Sequence, residues 1–289
     1  MKTIFTGVVI GVGLSFSAVS ADQTGPFASF AGASEAVFSD PHDLEFGPDG
    51  MLYVADRAAD RVVVMDPDTF EITEIIGEGT LLQPHDVSVG HNNQMYVASA
   101  GLHGVVLYDL NQEDRKNEGM LGPFPSTAGT LAHSNGNLYV MASGEGWLYA
   151  IDAGRTVVAA EGGLIGAQDV TEAPDGSIWV ADQLQRRLVQ YTQGLEVMRV
   201  LDGPEYGFVG PRYLDFTEDG SLVVADQDAH KITKIDTYSG EVMGVIGDGA
   251  PGLGPNLLDD PEGVAVRGME YFFADSDNNR IVKYVIAMF

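Results

Sequence analysis

Apolar residues return along this chain in a fixed grouping. Leu52-Tyr53-Val54, Met95-Tyr96-Val97, Leu138-Tyr139-Val140, Ile178-Trp179-Val180, Leu222-Val223-Val224 and Tyr271-Phe272-Phe273 follow one another at spacings of 43, 43, 40, 44 and 49 residues. Ahead of them stand Asp49-Gly50, Asn92-Asn93, Asn135-Gly136, Asp175-Gly176, Asp219-Gly220 and Arg267-Gly268, pairs that tolerate the positive φ of a tight hairpin. Before each turn a short alternating pattern predicts a strand, as in Leu44/Phe46, Val87/Val89, Leu214/Phe216 and Val264/Val266. A third strand is predicted after the triplet (Val62–Met65, Val105–Tyr108, Leu148–Ile151, Leu188–Tyr191, Ile232–Ile235, Ile281–Val285), and a fourth in most units (Ile72–Ile76, Leu195–Leu201, Val242–Ile246). Four short strands per repeat of this length make a propeller blade, and six repeats predict an all-β, six-bladed propeller of four-stranded antiparallel blades. Helical periodicity is absent, so no second domain is expected.

The ends of the chain refine this picture. The sixth repeat stops after its third strand, and Phe27–Gly32 resembles the segments that close the fourth strands before Gly77 and Gly247. The N-terminal strand is therefore expected to complete the last blade, which removes an open sheet edge. Farther upstream, Lys2, the apolar run Ile4–Phe16 and the small residues Val19-Ser20-Ala21 read as a secretory signal cut after Ala21. The run is too short to span a bilayer. Residues 1–21 are thus expected to leave as a signal peptide and 22–289 to fold as one domain, periplasmic or secreted, with no membrane insertion after cleavage.

Composition narrows the partners. Forty-two acidic against 15 basic residues give a formal charge of −27, a field that repels phosphate backbones and argues against nucleic acid. Cations, cationic peptides and neutral small molecules remain open. The chain has no cysteine, which excludes thiolate metal sites and a cysteine nucleophile.

Two stretches, PHDLEFGPDGMLYVADRAADRVVVMD (residues 41–66) and PEGVAVRGMEYFFADSDNNRIVKY (261–284), resemble NHL repeats, and the resemblance extends over residues 26–289. It implies a six-bladed NHL-type propeller. It implies no single activity, because that scaffold carries lyases, lactonase-like hydrolases, sensors and binding modules.

Within one sequence, repetition separates scaffold from site. Asp56, Asp182, Asp226 and Asp275 share one position, and Arg61, Arg187, Lys231 and Arg280 another; matched acid–base pairs read as structural. Asp43, Asp86 and Asp169 also share a place, suited to accepting backbone N–H groups. One residue earlier the blades diverge: His42, His85, Gln168, Arg212 and Glu262, with Thr127 or Ala128 in blade 3. In a propeller these positions ring one mouth of the central channel, as a ligand site requires. Three readings stay open. His42 and His85, helped by Glu262, Asp43 or Asp86, hold a divalent metal that activates water or polarises a carbonyl. Alternatively the ring binds an organic ligand directly, with Arg212 facing a carboxylate. Or the histidines merely bond neighbouring loops. Tyr206 and Phe208, in the loop Gly203–Gly210, are expected to wall a ligand pocket, and Tyr213 replaces the aspartate of other blades. His103 and His230 lie in loops of the same face and are expected to be solvated.

Pro41-His42-Asp43 and Pro84-His85-Asp86 resemble the P-H-x motifs of peptidyl-α-hydroxyglycine α-amidating lyases. That resemblance implies zinc on His42 and His85 and calcium on an adjacent aspartate. No third blade supplies the motif, and the stretch Arg57–Asp60 lacks the tyrosine that family uses. Streptogramin lyases are a looser comparison. The expectation is a monomeric exported protein that binds a small molecule or peptide at the mouth. The alternatives are a metal-assisted lyase or hydrolase, in which Arg212 stabilises anionic charge and Tyr213 or Glu262 serves as acid/base, and a protein-interaction platform.

Overall fold

The computed structural model describes residues 25–90 and 92–286; the expected signal peptide lies outside them. The six repeats form six antiparallel sheets of four strands. Their innermost strands, which define blades 1 to 6, are Pro41–Phe46, Pro84–Val89, Thr127–Ala132, Ala167–Glu172, Pro211–Phe216 and Pro261–Arg267. Ser29–Ala33 pairs antiparallel with Arg280–Val285 and supplies the fourth strand of blade 6. The fourth strands that the apolar pattern leaves unmarked, in blades 2 and 3, are Asn117–Leu121 and Val157–Glu161. The turns close as their composition requires: Gly50 and Asn93, at matching places, have φ of 78° and 60°, conformations that glycine and asparagine adopt most readily.

The core is a ring of interfaces rather than one central mass. Six apolar clusters each join neighbouring blades; Tyr53, Val62 and Val64 of blade 1, for instance, pack on Val87, Val97 and Tyr108 of blade 2. A buried side chain of this kind contributes about 1.5–3 kcal/mol, so each blade is stable only against its neighbours.

Around the channel a second device joins the blades. Asp43 accepts the backbone N–H of Val87 at 3.0 Å, Asp86 that of Thr130 at 2.9 Å, Asp169 that of Leu214 at 2.7 Å and Asp215 that of Val266 at 2.7 Å. Four blade junctions are thus clamped by a carboxylate. At the other two, glycine replaces it and the backbones close up. A Cβ on Gly129 would lie 2.5 Å from the Gln168 carbonyl oxygen, and one on Gly263 2.3 Å from that of His42. The in-blade pairs are also present: Arg61, Arg187 and Arg280 reach Asp56, Asp182 and Asp275 at 2.8, 2.7 and 2.7 Å.

Candidate functional site

The mouth is assembled by three repeated local features. First, the aspartates of those in-blade pairs accept a backbone N–H from the loop leading into the innermost strand: Asp56 from Ser39, Asp182 from Ile165, Asp226 from Val209 and Asp275 from Asp259. Second, a one-turn 3₁₀ segment after the second strand, as in Arg57–Ala59, ends in a left-handed residue that holds the next blade. Asp60 accepts the N–H of Gln83, His103 that of Ser126, His230 that of Asp260 and Asn279 that of Asp40, at 2.7–3.1 Å. His103, exposed as expected, and His230, half-buried, thus also serve as clasps between blades. Third, every innermost strand is irregular in register just after its first residue, between Pro41 and Leu44, Pro84 and Asp86, Thr127 and Gly129, Ala167 and Val170, Pro211 and Tyr213, and Pro261 and Val264. A bulge re-aims the side chain it contains. Here it contains His42, His85, Ala128, Gln168, Arg212 and Glu262, which also resolves the blade 3 position in favour of Ala128.

The His42 and His85 rings meet edge to face with centroids 4.4 Å apart. His42 Nδ1 lies 2.9 Å from Glu262 Oε2, and its Nε2 lies 3.4 Å from Asp40 Oδ1. Both carboxylates also face guanidiniums: Arg57 Nη1 is 2.6 Å from Asp40 and Arg212 Nη1 is 2.9 Å from Glu262. Arg212 also donates to Gln227, which donates to Asp260 at 2.6 Å and accepts from Gln183 at 3.1 Å. A chain of alternating charge and amide groups thus closes the mouth over blades 4, 5, 6 and 1. Burial opposes ionisation of Asp40, but His42 and Arg57 prevail and hold it at about 2. Burial, reinforced by the proximity of His42 and of the Arg212 and Arg57 guanidiniums, depresses His85 well below the usual histidine range. His85 is accordingly a neutral imidazole at physiological pH.

Several buried polar atoms of this ring have no hydrogen-bond partner among the described residues: His42 Nδ1, His85 Nδ1, Gln168 Oε1, Arg212 Nε, Glu262 Oε2 and, beside them, Arg57 Nε. The 2.9 Å approach of His42 to Glu262 is close, yet neither atom makes a hydrogen bond there, because proximity without alignment is not one. Next to the ring a cavity of about 470 Å³ opens over blades 2 and 3. At the first 3₁₀ position, where blades 4 and 5 carry Gln183 and Gln227, blade 2 has Ala100, and Ser143 follows the second strand of blade 3. Both line the cavity, together with Arg57, Gln83, His85 and Gln168.

Other expected site residues lie elsewhere. The carboxylates of Asp43 and Asp86 are blade clamps and line a separate cavity of about 250 Å³, shared with Glu45, Asp169 and Asp215, deeper in the channel. Tyr213 runs from blade 5 across the axis and donates its hydroxyl to the His85 carbonyl at 2.8 Å. It is fully buried, burial raises its pKa well above the usual phenol range, and it lines neither cavity, so its hydroxyl ties blade 5 to blade 2 rather than facing the mouth as an acid/base. Tyr206 and Phe208 stack at 5.3 Å within the apolar cluster between blades 4 and 5 and line neither cavity. They are large and apolar, and the blade interface is the nearest place to remove them from water.

As a metal centre the histidine–aspartate quartet does not assemble. Among the described residues the group whose ligand atoms converge is Asp40, His42 and Glu262, all within 4.8 Å. Each of its carboxylates already faces a guanidinium, so a dication would meet two fixed positive charges; the donor set fits a metal poorly. Sequence reasoning passed over Asp40, Arg57, Gln183 and Gln227. For the last three the signal was available: like the ring positions, the residue after the second strand differs from blade to blade.

A family model described as "Domain of unknown function (DUF5074)" matches residues 46–200. No curated protein sequence matches the chain. Among solved structures it is similar to a protein of unknown function from Bacteroides thetaiotaomicron, with a TM-score of 0.68 and 16% identity over 93% of this chain and 75% of that one. It is also similar to a catalytically inactive virginiamycin B lyase from Staphylococcus aureus with quinupristin, with a TM-score of 0.66 and 14% identity over 89% and 99% of the two chains. Kuenenia stuttgartiensis hydrazine synthase gives 0.65 and 18% over 88% and 78%. At these identities the likeness is one of fold.

Proposed function

Since this chain belongs to the DUF5074 family, whose description names no activity, we propose from the site that it is an exported, monomeric NHL-type propeller that binds a small molecule or peptide. The ligand sits at the mouth formed by His42, His85, Gln168, Arg212 and Glu262. One observation carries this reading. Of the seven buried side-chain atoms without a hydrogen-bond partner among the described residues, five belong to these residues and a sixth to Arg57 beside them. Unpartnered buried polar atoms are rare and costly; their convergence from separate blades marks polar groups kept for something other than stability.

The test follows from that cost. Gln168→Met removes the unpartnered Oε1 and keeps the bulk, at the loss of the 3.3 Å bond from Nε2 to the Gly166 carbonyl, so it should leave stability unchanged within about 1 kcal/mol while weakening retention of whatever small molecules or peptides the wild-type protein captures from an extract of its native cells. Denaturant titration and mass spectrometry of the released ligand read the two effects. Unchanged capture by the variant, or capture of nothing by the wild type, would count against the mouth as a binding site.

A second reading, a metal-assisted lyase or hydrolase, is favoured by the Asp40–His42–Glu262 convergence. The fold likeness to a virginiamycin B lyase adds a precedent for lyase chemistry on such a propeller. The two arginines weigh against it. Elemental analysis separates the readings: one equivalent of metal per chain, lost in His42→Ala, would establish the second.

A further inference from the structure

The mouth is nearly balanced in charge, and this bears on what it binds. Resting on the binding reading above, we infer that the ligand is an uncharged, amide-bearing molecule with an apolar flank, seated off the axis over blades 2 and 3. Three observations lead there. Both guanidiniums of the site already face a carboxylate, Arg57 with Asp40 and Arg212 with Glu262, and His42 lies between the same two carboxylates. A ligand carboxylate would find no uncompensated cation, and a ligand ammonium no uncompensated anion; burying either charge is costly. Among the residues that line the cavity, the unpartnered atoms are a donor, Arg57 Nε, an acceptor, Gln168 Oε1, and His85 Nδ1, which can serve as either. An amide offers one carbonyl and one N–H and answers both kinds.

The second observation is the asymmetry of the mouth. The chain Gln183–Gln227–Asp260 fills it over blades 4 to 6, whereas Ala100, Gly101, Ala128, Ser143 and Gly144 leave the cavity over blades 2 and 3. Its volume of about 470 Å³ falls within the range of roughly 300–1,000 Å³ typical of small-molecule sites. The third is the surface bordering the cavity. Leu82 and Leu102, next in sequence to the lining residues Gln83 and Gly101, are exposed on one side, and Ile165 and Leu184 beside Gly166, whose carbonyl accepts from Gln168, on the other. None of the four lines the cavity itself; they would meet apolar groups that extend outward from a bound amide.

Three probes of nearly equal size differ mainly in charge: N-acetyl-leucinamide is neutral, N-acetyl-leucine anionic and glycyl-leucinamide cationic. Titrated against the whole protein and followed by NMR at the mouth residues, the neutral probe should bind at least tenfold more tightly than either charged one. Ala100→Gln, which installs in blade 2 the residue that blades 4 and 5 carry at the same 3₁₀ position, should weaken it at least tenfold. Ser143→Gln provides the same test from blade 3. If a charged probe binds more tightly and loses affinity in Gln168→Met, the inference about ligand class is overturned and the site stands. Undiminished binding in both glutamine variants overturns the off-axis placement. If no probe perturbs the mouth residues, the ligand class and the binding reading fall together.

Discussion

Glu262 occupies a place where other blades carry histidine, glutamine or arginine. Its carboxylate is buried, 2.9 Å from Arg212 on one side and 2.9 Å from His42 on the other. Arg212→Met would leave that carboxylate without its permanent cation, a change expected to cost about 3 kcal/mol. Adding Glu262→Gln should restore much of the loss, since the burden is the unpaired charge rather than the missing arginine. Urea unfolding of the two single variants and the double variant measures the coupling; a near-additive result would show that the two groups do not depend on each other. The five ring residues were legible beforehand because six copies of one motif expose the positions at which they differ. The roles of Tyr206, Phe208 and Tyr213 were not. A large aromatic in a loop reads alike whether it walls a pocket, fills a blade interface or crosses the channel, and only its neighbours decide.

Among the elements, the strand Ser29–Ala33 has the most distant partner, pairing through Phe30–Tyr284 and Ala33–Val282. Without it, the strand Arg280–Val285 would present an unpaired edge, and blade 6 would lose its tie to the N-terminus. A chain beginning at residue 35 should therefore melt at lower temperature and associate with rising concentration. Sedimentation and thermal unfolding compared with a chain beginning at residue 22 test this; a monomer of unchanged stability would mean that the closure is dispensable. This pairing was readable from the shortfall of the sixth repeat and the spare N-terminal segment. The bulges were not readable, since one extra residue in a six-residue strand only blurs an alternation. Nor were the 3₁₀ turns, three residues long and too short to show a period.

For the molecule as a whole, the carboxyls around the channel set the pH response. Burial raises Asp43 and Asp215 to about 7. Burial, with the charges of neighbouring aspartates, pushes Asp86, Asp169 and Glu45 well above the ordinary range. In the unfolded chain these groups titrate near 4. Between those limits the folded state binds more protons than the unfolded one, so stability falls as pH rises through the folded values. Asp40, at about 2, acts in the opposite sense but only below this window; His85, depressed by burial, opposes within it, one group against five carboxyls. The melting temperature is thus expected to be higher at about pH 5 than at about pH 8. The slope should flatten in an Asp43→Asn, Asp215→Asn variant, which separates the ring from the general self-repulsion of a chain with charge −27. A melting temperature that rises over the same interval would contradict the protonated ring.

The order of apolar and polar residues sufficed to determine six repeats, their strands and the strand that closes them, because strand periodicity and turn chemistry act over a few residues and are written locally. It also sufficed to bring His42, His85, Gln168, Arg212 and Glu262 to one opening, because circular repetition turns equal spacing into a common place. What those side chains do there was decided only in three dimensions. Whether Asp43 faces a metal or a neighbouring N–H, and whether Arg212 is free or already paired, depends on contacts between blades more than forty residues apart in sequence, which no local pattern contains.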